Sequence, residues 1–179
     1  MTWSLLRVAI LGPESCGKST LALALEARLR HAALSVARVD EYARDYYAER
    51  VYQPEIDDVL AIARGQLQAE SRASRSRPQV MLCDSTVLTC VIWAEVAFGA
   101  APRPLLELNR PQDYDLTLLA CPDIPWVPDP LRSHEYERDP LLQRYRAALA
   151  RFGAPWVEIR GQGDLRAQCA WQALQQKLQ

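Results

Sequence analysis

Eight residues near the N-terminus constrain the fold more than any other feature. Gly12-Pro13-Glu14-Ser15-Cys16-Gly17-Lys18-Ser19 matches G-x-x-x-x-G-K-[ST]. A loop that wraps a polyphosphate must turn its backbone N–H groups inward, which asks for glycine at both ends. The helix that follows then offers its N-terminus to the anion. The setting is the one this requires. Arg7 to Leu11 is a short apolar run that reads as a buried parallel strand. Beyond the loop, Leu21, Leu25 and Leu29 recur every four residues, as on one face of a helix. A chance match in a chain this long has a probability on the order of one per cent. The candidate ATP contacts are Gly12, Glu14, Ser15, Cys16, Gly17, Lys18, Ser19 and Thr20. Lys18 would reach the β- and γ-phosphates, and the Ser19 hydroxyl would ligate Mg²⁺. Cys16 has two readings: a thiol activated by the helix N-terminus, or a spacer whose backbone is all that matters.

The rest of the chain alternates strand and helix. Ser35–Val39, Gln79–Cys83, Leu116–Cys121 and Trp156–Ile159 read as strands. Helical patterns lie between them. Ile56, Leu60, Ala63 and Leu67 mark one face, and Leu165, Cys169, Ala173 and Leu178 mark another. Thr86–Phe98 reads as a helix broken over Gly99–Pro104, and Asp139-Pro140 as an N-cap with proline at the first helical position. The fold class is therefore α/β: a three-layer P-loop NTPase fold with a five-stranded parallel sheet flanked by helices. The expectation is one domain over residues 1–179, with no repeat or linker. Ligands should bind beyond the carboxyl ends of the strands, where Gly12, Asp40, Asp84 and Pro122 fall.

Composition excludes more than it selects. The formal charge is −1, from 21 basic and 22 acidic residues, and no basic run is longer than two. A nucleic-acid stripe is not favoured, and no apolar stretch is long enough to span a membrane. The N-terminus does not read as a signal peptide. The five cysteines have neither CxxC nor metal-ligand spacing, so they read as small core residues in a cytoplasmic protein.

Two acidic strand ends carry the remaining chemistry. Asp84 follows Val80–Cys83, where a P-loop enzyme places its second magnesium-holding group, though it or Ser85 would also serve as a helix N-cap. Asp40-Glu41-Tyr42-Ala43-Arg44 follows the second strand, and either carboxylate is placed to orient an attacking hydroxyl and take its proton. Arg44 falls on the side of Glu41, so substrate contact competes with a plain surface ion pair. After the fourth strand comes Pro122-Asp-Ile-Pro-Trp-Val-Pro-Asp-Pro-Leu-Arg132, part of a lid over about 122–139. Arg132 and Arg138 would neutralise phosphate charge there, or pair with Asp129, Glu135 or Glu137. Trp126 stacks on a flat ring or pins the loop. His134 reads as a lid surface residue.

GPESCGKST, DEYAR, ARGQ with Gln66, LCDST and PDIPWVPDPLR occur in this order. Together they resemble the nicotinamide riboside kinase domain of the NadR-type NAD-biosynthesis regulators, from about Arg7 to the last helix. The resemblance implies a nucleoside/nucleotide-kinase-like core with a lid. It implies ATP and Mg²⁺ as cofactors, and phosphorylation of the 5′-hydroxyl of nicotinamide riboside to the mononucleotide. It suggests Glu41, Tyr42, Arg44 and Gln66 near the substrate, with Trp126, Asp129 and Arg132 in the lid. The first strand begins almost at Met1, so the likeness is to the kinase part alone. Where the resemblance leads one to expect an aromatic residue before Glu41-Tyr42, this chain has Asp40, leaving Tyr42, Tyr46 or Trp126 to supply the ring. A kinase for another nucleoside or nucleotide is the near alternative. A regulatory P-loop ATPase switch is the alternative of another class. A GTPase is disfavoured because no Asn/Thr-Lys-x-Asp guanine motif follows the fourth strand, and a non-catalytic binding module by the intact Lys18, Ser19 and Asp84.

Overall fold

The computed structural model describes residues 4–132 and 134–178. Five strands form the sheet: β1 (Leu6–Leu11), β2 (Val36–Val39), β3 (Val80–Asp84), β4 (Leu116–Ala120) and β5 (Trp156–Ile159). All pairings are parallel, in the order β2-β3-β1-β4-β5. The helices are α1 (Lys18–His31), α2 (Tyr42–Tyr47), α3 (Ile56–Ser74), α4 (Val87–Phe98), α5 (Arg103–Leu108), α6 (Arg138–Arg151) and α7 (Gly163–Gln175).

The three central strands are apolar on both faces because helices cover both. Alternation along β1 divides the core. Val8 and Ile10 pack with Leu21, Leu25 and Leu29 of α1 and with Ala170 and Leu174 of α7. Ala9 and Leu11 pack with Leu88 and Ile92 of α4 and with Leu142, Tyr145 and Leu149 of α6. A third cluster joins α2, α3, α4 and α5 through Tyr47, Val59, Ile62, Val91 and Leu105. The register sets Ile10 beside Asp84, which brings the exit of β1 next to the acidic end of β3.

Several local expectations are corrected. Thr86 caps α4, its hydroxyl accepting the Leu88 N–H at 3.2 Å, so neither Asp84 nor Ser85 is needed as a cap. The segment after Gly99 coils again as α5, with Pro104 in the first turn, where its missing N–H costs no helical bond. Residues Glu135–Glu137 already form a 3-10 turn, so α6 starts at Arg138. Asp139 and Pro140 then lie inside its first turn instead of marking the cap. The buried face of α3 centres on Val59, Ile62, Ala63, Gln66 and Glu70, with Ile56, Leu60 and Leu67 at its margin. On α7, Leu165 faces water and Arg166 faces inward, contrary to the apolar stripe read from the sequence.

Candidate functional site

The loop from Gly12 to Gly17 joins β1 to α1 over the ends of β3 and β4. At Gly12 φ is +144°, and a Cβ there would sit 2.4 Å from the Ala120 carbonyl oxygen and 2.8 Å from Cys16 Sγ. No other residue fits. Gly17, at φ +78°, stands at the N-terminus of α1. Lys18 folds back across the loop and donates from Nζ to the carbonyls of Gly12 and Pro13, both at 3.0 Å. Burial opposes its charge, but the carboxylates of Glu41 and Asp84 around it carry its pKa above the usual lysine value. Ser19 Oγ donates to Asp84 Oδ2 at 2.5 Å. Asp84 is buried, and its Oδ1 has no partner among the described residues. A carboxylate buried with one oxygen unmet, beside a hydroxyl, is a donor set that suits a hard divalent cation. Cys16 is fully buried, and burial pushes its thiol up despite Lys18 and Arg166 nearby. The reading of Cys16 as an activated thiol is therefore corrected, because a buried, protonated sulfur is inert.

One pocket runs from this loop past α2 and α3 to α4. Lys18, Ser19 and Thr20 line it beside Glu41, Arg44, Gln66, Thr89, Arg132 and Tyr145. Tyr47, Tyr52, Val59, Cys90 and Trp93 belong to the same lining, and the Trp93 ring meets His134 at 4.9 Å. Glu41 starts α2, and its pKa is raised by burial and by Asp84, against the pull of Lys18, Arg44 and Arg132. Arg44 spans from Glu41 Oε2, 3.6 Å from its Nε, to Asp129 Oδ2 in the lid, 3.0 Å from its Nη1. Gln66 Oε1 accepts the Tyr42 N–H at 3.0 Å, and its Nε2 donates to the Ser85 carbonyl at 3.4 Å.

The two candidate carboxylates separate cleanly. Asp40 has a side chain 66% exposed, is ion-paired to Arg38, and does not line the pocket. It stands just past the end of β2 with its side chain in solvent, so Asp40 is corrected as a catalytic and substrate-contacting residue. Tyr42 is corrected as well. Its ring lies over Gly65, where a Cβ would come within 2.0 Å of a ring carbon. Its work is to pack α2 on α3. Tyr46 bonds Asp58 at 2.6 Å and lies outside the lining.

The lid rests on the phosphate loop. Val127 N–H donates to Ser15 Oγ at 2.8 Å, and His134 N–H donates to Glu14 Oε2 at 2.9 Å. Arg138 Nη1 donates to the Ile124 carbonyl at 2.9 Å and reaches the Ser15 carbonyl at 3.4 Å. Trp126 lies under the Arg138 guanidinium at 5.8 Å and outside the main pocket, which is the pinning role and not a stacking platform. Arg138 is likewise committed to backbone carbonyls, whereas Arg132 lines the pocket. Asp129 serves it indirectly through Arg44.

Sequence reasoning missed the aromatic part of the lining, Tyr47, Tyr52 and Trp93. Tyr46-Tyr47 and Tyr52 stand close together in the chain and were a usable signal. Trp93 was not, because nearly every residue around it in α4 is apolar. Tyr145 and Thr89, joined at 3.3 Å between α6 and α4, were equally hidden by helical core patterns.

No curated protein matches the chain in sequence. Among solved structures, a NadR protein in complex with NR superposes with TM-score 0.71 at 22% identity, over 96% of this chain and 50% of that one. The chain thus spans half the length of that protein. A thymidylate kinase from Ehrlichia chaffeensis superposes with TM-score 0.67 at 11% identity, over 96% of this chain and 99% of that one. Residues 7–166 match the AAA domain family. The phosphate loop, the strand order and this match across most of the chain show that the protein belongs to the AAA domain family, on the P-loop kinase fold.

Proposed function

We propose that this protein is an ATP-dependent small-molecule kinase whose acceptor is a nucleoside, with nicotinamide riboside the leading choice. One observation carries the reading. A single pocket is lined by the phosphate loop and by the aromatic side chains Tyr47, Tyr52 and Trp93, with the partly buried carboxylate of Glu41 in the same lining. A donor phosphate and a flat-ringed acceptor would meet at Glu41.

The steps follow from the side chains. Gly12 to Thr20 would cradle the triphosphate, and Lys18 would exchange its two backbone carbonyls for phosphate oxygens. Ser19 and Asp84 are the residues that would hold Mg²⁺, which would supply charge neutralisation at the phosphates. Glu41 would orient the acceptor hydroxyl and take its proton, its raised pKa suiting it to that task. Arg132 and Arg44 would offset the charge that builds on the transferring group. Tyr47, Tyr52 and Trp93 would enclose the ring that the residue before Glu41 does not provide. The likeness to the NadR protein supports a nucleoside acceptor, and the likeness to a thymidylate kinase supports a second reading, a nucleoside monophosphate held by Arg44 and Arg132.

The test is to incubate the purified protein with MgATP and a panel of nucleosides and nucleotides, nicotinamide riboside included, and to follow phosphate gain by mass spectrometry. Phosphorylation of a nucleoside supports the first reading, and of a monophosphate the second. ATP hydrolysis with no acceptor modified would count against both.

A further inference from the structure

Helix α7 sets an exposed leucine next to a buried arginine. Leu165 is 74% exposed, while the next residue, Arg166, is 5% exposed. Burying a guanidinium and leaving a leucine in water is an unfavourable exchange unless the charge is well engaged. Arg166 is engaged on three separate segments through its two terminal nitrogens, while its buried Nε has no partner among the described residues. Its Nη1 donates to Asp123 Oδ1 at 2.6 Å and to the Gly161 carbonyl at 3.0 Å. Its Nη2 donates to the Cys16 carbonyl at 2.6 Å and to the Cys121 carbonyl at 2.8 Å. A local rule broken at such cost marks a position that does something besides fill space.

The Cys16 carbonyl gives the contact its meaning. The Cys16–Gly17 peptide is planar and trans, so its oxygen and the Gly17 N–H point to opposite sides. A donor that grips the oxygen from the α7 side turns the Gly17 N–H to the other face of the loop, where α1 begins with its unpaired N–H groups. Gly17 has no Cβ to lock this plane, since glycine adopts either sign of φ readily. The lock comes from outside the loop. Asp123 extends it: the same carboxylate accepts the Gly161 N–H at 2.7 Å, so the exits of β4 and β5 are tied to the phosphate loop through one guanidinium.

We propose that Arg166 is a positioning residue for the nucleotide's phosphates. It acts by fixing the Cys16–Gly17 peptide with its N–H facing the cradle. The inference rests on the nucleotide-binding part of the reading above and is independent of which acceptor is used. Lysine is a point charge with a single head and cannot span four acceptors on three segments. Arg166→Lys therefore releases the peptide while keeping the positive charge. Asp123→Asn can keep its one amide oxygen for Gly161, and then removes both the charge and the acceptor opposite Arg166.

The test is equilibrium binding by calorimetry of MgATP, inorganic tripolyphosphate and adenosine, alongside thermal unfolding of each variant. Arg166→Lys is expected to weaken MgATP and tripolyphosphate about tenfold, the loss of one charge-assisted hydrogen bond, and to leave adenosine as in the wild type. Asp123→Asn is expected to weaken MgATP roughly threefold, as suits a partly exposed pair. Variants that melt earlier yet bind all three ligands like the wild type would show a purely structural arginine and overturn the proposal. If Arg166→Lys does not fold, Asp123→Asn decides, and unchanged MgATP affinity there overturns it. A wild-type protein that binds neither MgATP nor tripolyphosphate would sink the nucleotide reading itself, whereas wild-type binding with unaffected variants would sink only the role of Arg166.

Discussion

Two neighbouring carboxylates in the turn between β2 and α2 have opposite fates. Asp40 is solvated and paired with Arg38, while Glu41 is partly buried among charges that compete over its proton. Glu41→Gln is expected to lower kcat by about 10²–10⁴-fold, the usual worth of a general base. Asp40→Asn should leave kcat within a factor of about two, as befits an exposed side chain away from the chemistry. Steady-state assays of both variants check this. Glu41 must be ionised to act, and its pKa is raised. The acid limb of kcat/KM should therefore lie above the ordinary glutamate range in the wild type and in Asp40→Asn, and be absent from the residual activity of Glu41→Gln. The motif DEYAR was legible as a site from the sequence. Which acid faces the pocket was not, because both lie in the turn between β2 and α2, where neither a strand nor a helix period fixes the direction of a side chain. Roles that depend on long-range contacts were illegible for the same reason. Trp126 and Arg138 meet each other and the phosphate loop, and not the main pocket.

At the scale of elements, α3 is the member that sets the pocket's middle. It begins with reciprocal capping, the Glu55 N–H donating to Asp58 Oδ2 at 2.8 Å, and it brings Gln66 under α2. Gly65 lets the Tyr42 ring lie on the helix backbone. Gly65→Ala should push that ring away, at a cost of about 1–3 kcal/mol. Because Tyr42 precedes Arg44 by half a turn, the same change should raise KM for the acceptor. Denaturant unfolding and steady-state kinetics read the two effects separately. One turn further along, both oxygens of Glu70 accept the Tyr114 hydroxyl at 2.9 Å. Burial raises the Glu70 pKa against that bond. The folded state therefore holds the Glu70 proton more tightly than the unfolded chain does. Its contribution to stability is full below the unfolded pKa and is lost as pH rises through the folded one. In Glu70→Gln this decline should flatten, which thermal unfolding across mildly acidic to neutral pH would show. That the α3 stretch is helical was readable from its periodicity. Its inward polar residues were not, because the apolar count alone put the buried face one position away.

The whole molecule is a parallel sheet with a core on each side, and this architecture was the most legible part of the chain. Five apolar runs separated by helical periods admit few alternatives once one loop is known to bind phosphate. Leu25 of α1 is fully buried between the sheet and α7. Leu25→Ala should cost about 2–5 kcal/mol without a new binding defect in the fraction that stays folded, as measured by chemical denaturation and nucleotide titration. What the sequence left dark at this scale was the inward turn of Arg166 and the convergence of Tyr47, Tyr52 and Trp93. Each depends on how separate segments are brought together in space, not on pattern within a segment. The uniform strand direction has a practical corollary for anyone who wishes to attach something to this protein. Every chain exit toward the chemistry lies on one rim, and the turn from α6 into β5 lies on the other. Gly153 in that turn adopts φ +64° with open space around it. A fluorophore-bearing peptide spliced in beside it would ride on the blunt end of the molecule and leave the working end clear.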